Sequence, residues 1–148
     1  MLPTLYSFQV VIAMFNASPL LTQRVLSILR IVSAFMFVQH GMAKLLKFPH
    51  VPMFDNLQIF SMYGAAGILE LVGGALLLIG LFTRPVAFVL SGLCAFAYFI
   101  GHASKGFVLS PMLNGGEAAV LFCFVFLFIS VAGGGVWGID GKRNASTL

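Results

Sequence analysis

The stretch from Met62 to Arg84, MYGAAGILELVGGALLLIGLFTR, constrains the chain more than any other, because it is long and apolar enough to cross a membrane yet carries an acid. Glu70 lies about 8 residues, or roughly 12 Å of helix rise, inside this run. An ionisable group at that depth is costly unless a partner or water meets it, so the carboxylate needs company from other helices. Gly67, Glu70 and Gly74 follow at i, i+3 and i+7, which makes one helix face small and polar and leaves Leu69, Leu76 and Leu77 elsewhere. The plain reading is a glycine-lined packing seam with an acid near a watery mouth. The functional reading, which intramembrane acids favour, is a binding or proton-handling site.

Composition agrees with a membrane protein. Of 148 residues, 60% are hydrophobic and 8% charged, against about 25% charged in soluble domains, and the mean hydropathy is +1.06. The 16 glycines suit lipid-embedded helices, which approach closely only through small residues. The eight basic residues stand singly at the ends of apolar runs and never cluster, so the net charge of +4 reports topology and not nucleic-acid binding. Cys94 and Cys123 form no CxxC or metal-spaced pair and read as small core residues. On antiparallel helices they could share a depth, but Cys123 points away from Asn114 around its helix, which weighs against a catalytic dithiol.

Taken in order, residues 1–23 form an N-terminal extension whose apolar part, Leu5 to Phe15, is too short to span and lacks a signal peptide's charged start. It is expected to lie in the interface or to be mobile, with Pro19 separating it from a first span over Val25 to Leu46. That span ends in FVQHGMAKLL, where His40 and Lys44 share a face at i and i+4. Lys47 to Ser61 is a loop broken by Pro49 and Pro52, its Phe48, Phe54 and Phe60 covering the mouth or dipping into the interface, and its His50 and Asp55 solvated. Arg84-Pro85 is expected to end the second span and open the third in one tight turn. The third span carries Ser91, Cys94, Ala95, Tyr98 and His102 near one stripe. Asn114 is placed as N-cap of the fourth span, with Glu117 at its third position, and Trp137, Lys142 and Arg143 anchor the far end. The membrane domain therefore covers 24–140, and 141–148 is a tail.

The fold expected is an all-α integral membrane protein, a four-transmembrane-helix bundle. Arg24, Arg30, Arg84, Lys142 and Arg143 fall on one side and Lys44, Lys47 and Lys105 on the other, which favours both termini in the cytoplasm. His40, Lys44, Glu70, His102, Asn114 and Glu117 then all fall in the outer half, leaving arginines, Trp137 and an interfacial Asp140 at the other end. Such convergence describes a polar cavity opening outward.

These residues resemble a known family. HGMAKL, ILELVGGALLLIGLFTR, the His102 helix, PMLNGGE and the closing Gly135-Val136-Trp137-Gly138-Ile139-Asp140 are similar, in that order, to the DoxX family of small four-helix membrane proteins, over about Arg24 to Asp140. Gly138 departs from the pattern, where a serine is expected. The resemblance implies a bacterial or archaeal cytoplasmic membrane, and a role as the membrane subunit of a thiosulfate:quinone oxidoreductase or, alongside soluble redox enzymes, in oxidative and thiol stress. It also implies functional roles for His40, Lys44, Glu70, His102, Asn114 and Glu117.

The leading expectation is a membrane component of a redox system whose outer cavity binds a quinone or small sulfur compound through His40, Lys44 and His102, with Tyr98 and Asn114 lining it and Glu70 and Glu117 handling protons. Glu70 is expected to be ionised and to pair with Lys44, or else Lys44 with Glu117. The rival is a non-catalytic module, an assembly partner for soluble redox proteins or a small-solute binder, compatible with a homo-oligomer. Haem or a metal held by His40 and His102 is the weaker alternative, since satisfied interior histidines are commoner, and no metal set is expected. Partners are the lipid bilayer and a small molecule.

Overall fold

The computed structural model describes residues 18–145, and the segment Leu5 to Phe15 lies outside them. Among the described residues all regular structure is helical. Helix α1 spans Pro19–Leu45, α2 Met62–Ile79, α3 Thr83–Ala97, α4 Pro111–Asn114, α5 Glu117–Ala132 and α6 Ile139–Ala145. Helix α3 continues through a π turn, Tyr98–His102, and a 3-10 turn, Ala103–Lys105.

Three of these segments, Pro19–Leu45, Met62–Ile79 and Thr83–Lys105, are long and apolar enough to cross a bilayer. Helix α5 is apolar but has 16 residues, about 24 Å of rise against a hydrocarbon core of about 30 Å. The chain is thus a helical membrane protein with three membrane-length helices and a shorter fourth.

The helix ends differ from sequence expectation in three places, each for a local reason. Helix α1 begins at Pro19 and not near Val25, because proline needs no partner in a first turn and the Ser18 hydroxyl accepts from Leu21 N at 3.1 Å. The turn between α2 and α3 is Gly80-Leu81-Phe82, and Arg84-Pro85 sits inside the first turn of α3. Gly80 takes φ +70° without a Cβ penalty, so it closes α2 in a left-handed cap. Asn114 ends the short α4 and does not cap α5, whose cap position is Gly116 and whose first residue is Glu117.

Helix α1 packs most extensively on α2, and α3 on α5; α2 against α3 and a narrower α1/α5 seam close the bundle. The α1/α2 seam is set by glycine. A Cβ at Gly41 would lie 2.6 Å from Leu71 N, and one at Gly74 would lie 2.7 Å from Val38 Cγ2, so the backbones meet where no side chain fits. Leu77 is placed on this buried side of α2, fully covered two turns beyond Glu70, and not elsewhere on the helix as expected from sequence. The core gathers Leu26, Ala34, Phe37, Leu77, Ala87, Leu90, Cys94, Phe126 and Ile129. Phe37 meets Phe126 edge-on at 4.9 Å between ring centroids, which holds α1 to α5.

Candidate functional site

Lys44, at the end of α1, forms an ion pair with Glu70 Oε1 on α2. Gly67 permits it, since its missing side chain leaves the α2 surface open beneath Lys44, where a Cβ would sit 3.1 Å from Lys44 Cβ. The lysine therefore turns inward and does not snorkel. Glu70 is buried and its second oxygen, Oε2, has no hydrogen-bond partner among the described residues. A carboxylate half satisfied in a low-dielectric setting retains acceptor capacity that most buried groups have lost. The Phe54 ring, on a 3-10 turn of the 46–61 connection, covers Lys44 Nζ at 5.8 Å from its centroid. His40 lies one turn before Lys44, within electrostatic reach of Glu70. It is solvent- or lipid-exposed, its ring edge-on to Phe37 at 6.3 Å and Phe122 at 6.2 Å.

The remaining site candidates form a second group. Tyr98 donates its hydroxyl to Val108 O at 2.6 Å and accepts from Asn114 Nδ2 at 3.2 Å. Asn114 also donates to Phe107 O at 3.3 Å, and its Oδ1 accepts from Gly116 N at 2.9 Å. His102 Nδ1 lies 3.2 Å from Asn114 O, and because a carbonyl only accepts, that nitrogen carries the proton. This network folds the 103–116 connection over the end of α3. Among the described residues no hydrogen bond or ion pair joins it to Lys44 and Glu70. The single cavity holding two acids, a lysine and two histidines is therefore not what these contacts describe: Glu117 is exposed at the start of α5, and His102 is occupied by the loop backbone.

His50 and Asp55 are exposed as expected but pair with each other, Nε2 to Oδ1 at 2.8 Å. Cys94 is buried and Cys123 half-buried, both free; Ser91 on α3 donates to Cys123 O at 2.9 Å. No group of three or more His, Cys, Asp or Glu among the described residues could hold a metal ion.

Sequence reasoning missed the polar hub at the opposite end. Arg30, treated there as one of the interfacial charges, is fully buried. Its Nε donates to Gly134 O at 2.9 Å and its Nη1 to Leu78 O at 2.8 Å, with further bonds to Leu77 O and Trp137 O. The guanidinium thus collects carbonyls of the last turn of α2 and ties them to the glycine-rich strap after α5. Asp140 completes the corner, its carboxylate accepting from Thr83 N at 2.7 Å and Phe82 N at 3.2 Å, an N-cap for α3 supplied from far along the chain. Gly80 and Gly138 touch here, a Cβ on Gly138 meeting Gly80 Cα at 3.1 Å. A signal existed: with α1 beginning at Pro19, Arg30 lies about 11 residues deep in an apolar helix, and the rule that singled out Glu70 applies to it equally.

A comparison with protein families matches residues 25–103 to DoxX. An uncharacterised protein of Haemophilus influenzae is 45% identical over 119 residues, covering 79% of this chain and 89% of the relative. No solved structure matches.

Proposed function

Since the chain belongs to the DoxX family, we propose that it is the membrane component of a redox system and binds a quinone or small sulfur compound at the Lys44–Glu70 pair. The observation that carries this reading is the half-satisfied carboxylate: Lys44 engages Oε1, while buried Oε2 has no partner among the described residues. Quinones and sulfur oxyanions both present oxygens that an ammonium group stabilises, and both couple reduction to proton uptake. Lys44 would hold the ligand oxygen, and Glu70 Oε2 with the exposed His40 would accept or donate protons beside it. Phe54 and the 46–61 connection form the cover over this end. We place the protein in a bacterial or archaeal cytoplasmic membrane, and the charge distribution favours both termini on the cytoplasmic side.

The test is to purify the protein in mild detergent and identify co-extracted small molecules by mass spectrometry, alongside Glu70→Gln and Lys44→Met. A quinone or sulfur compound enriched with the parent protein and depleted from both variants supports the reading. Identical extracts from all three, with helix content unchanged, would overturn it.

A second reading, an assembly partner for soluble redox proteins, is favoured by Phe60 and Leu109, which stand almost fully exposed on connections at the same end. A photo-crosslinker at Leu109 that captures a redox protein in cells, but only lipid in reconstituted vesicles, would support it.

A further inference from the structure

We propose that the Arg30 end of the bundle holds an anionic phospholipid, its phosphate in the cleft bounded by Gln23, Arg84 and the 133–135 glycine strap, and one acyl chain in the groove between α1 and α5. Two concave features meet there. The first is a cleft of about 940 Å³ walled by Arg30, Thr83, Arg84, Gly134 and Asp140 among others. The second, about 370 Å³, is an apolar groove of Leu21, Val25, Leu26 and Leu29 on α1 facing Phe128 and Ala132 on α5. Gln23 and Ala132 line both, so the polar cleft opens directly onto the groove. A polar pocket continuous with an apolar channel at a helix end is the shape of an amphiphile site.

The groove follows from the packing. Ring contacts of Phe37 with Phe122 and Phe126 close the α1/α5 seam deeper in the bundle, whereas nearer the helix ends aliphatic side chains of α1 face Phe128 and Ala132 across the groove. Val25 and Phe128 are exposed on its walls, where a lipid chain rather than protein would complete the contact.

Charge selects the head group. Arg84 is exposed on the cleft, where its Nη1 donates to Ser130 O at 3.4 Å and to Val131 O. Arg24 follows Gln23 on α1, Lys142 is exposed after the strap, and Arg30 lies beneath with its guanidinium held by backbone carbonyls, so that each adds positive charge. Of the chain's four acids only Asp140 is at this end, and its carboxylate is taken by the Phe82 and Thr83 amides. The Gly134 and Gly135 amides on the cleft wall donate to no described residue, and the buried Thr83 hydroxyl has no partner there either. Cations, amide donors and a hydroxyl around one space are the donor set a phosphate takes.

The test measures lipid retention by native mass spectrometry of the detergent-purified protein, using phosphatidylglycerol, phosphatidylcholine and, as a head group without chains, glycerol 3-phosphate. Phosphatidylglycerol should be retained over phosphatidylcholine. Gln23 is exposed and its side chain bonds to no described residue, so Gln23→Glu should leave the melting temperature unchanged while lowering phosphatidylglycerol retention about fivefold, and Gln23→Lys should raise it by a similar factor. Val25→Trp, which fills the groove from an exposed position, should lower retention of both lipids. Equal retention of the two lipids, no response to either Gln23 variant, or displacement by equimolar glycerol 3-phosphate would overturn the proposal. None of these measurements depends on the Lys44–Glu70 end.

Discussion

Lys44 of α1 and Glu70 of α2 form an ion pair that satisfies one carboxylate oxygen, and the other is buried without a partner among the described residues. The pair is possible because Gly67 leaves room beneath the lysine stem. It follows that each partner is the main compensation for the other's charge.

Removing one partner of such a pair typically costs about 3 to 5 kcal/mol, because the survivor is left uncompensated, whereas removing both is milder. Glu70→Gln and Lys44→Met should each lower the unfolding midpoint in detergent, and the double variant should recover part of the loss. Glu117→Gln, at an exposed position, should change stability by under about 0.5 kcal/mol. Additive losses in the Lys44 and Glu70 double variant would show that the two groups are not energetically coupled.

The two histidines should behave differently. His40 is exposed and its ring makes edge contacts with two phenylalanines, so His40→Ala should keep the fold and weaken retention of any co-purified ligand about tenfold, or 1.4 kcal/mol. His102 holds the Asn114 carbonyl, so His102→Ala should cost about 1 kcal/mol of stability. Thermal melts and ligand mass spectrometry on the same preparations check both; matching profiles for the two variants would contradict this division.

Arg30 should be among the least replaceable residues. Arg30→Met removes a buried donor from four carbonyls, of which Leu77 O keeps the Gly80 amide at 3.1 Å, and a loss of about 3 kcal/mol or more is expected. Arg30→Lys should rescue little, since an ammonium cannot reproduce the forked geometry. Chemical denaturation in detergent measures this, and a near-parental Arg30→Lys protein would refute it.

Topology is open to labelling. In a background lacking Cys94 and Cys123, a cysteine at exposed Ser104 should react with an impermeant reagent from outside the cell, and a reporter fused after Ala145 should score cytoplasmic. Labelling of Ser104→Cys from the cytoplasmic face alone would invert the orientation.

Hydropathy is written residue by residue, and a bilayer imposes a length on any apolar run. For that reason the sequence alone was enough to establish a helical membrane protein of the DoxX family, the helices in order and the glycine face of α2. It also placed His40, Lys44 and Glu70 toward one end. Azimuth and partnership are not written that way. Whether Asn114 caps α5 or binds Tyr98, whether Glu117 points at a lysine or at solvent, and whether Arg30 sits at an interface or gathers four carbonyls all depend on where other helices stand. The helix ends mattered most. Starting α1 at Pro19 moved Arg30 from the boundary to the interior, and the glycine turn at Gly80 brought Asp140 onto the first amides of α3. Only tertiary structure decided those contacts, because each joins segments far apart in the chain through hydrogen bonds that no local pattern encodes.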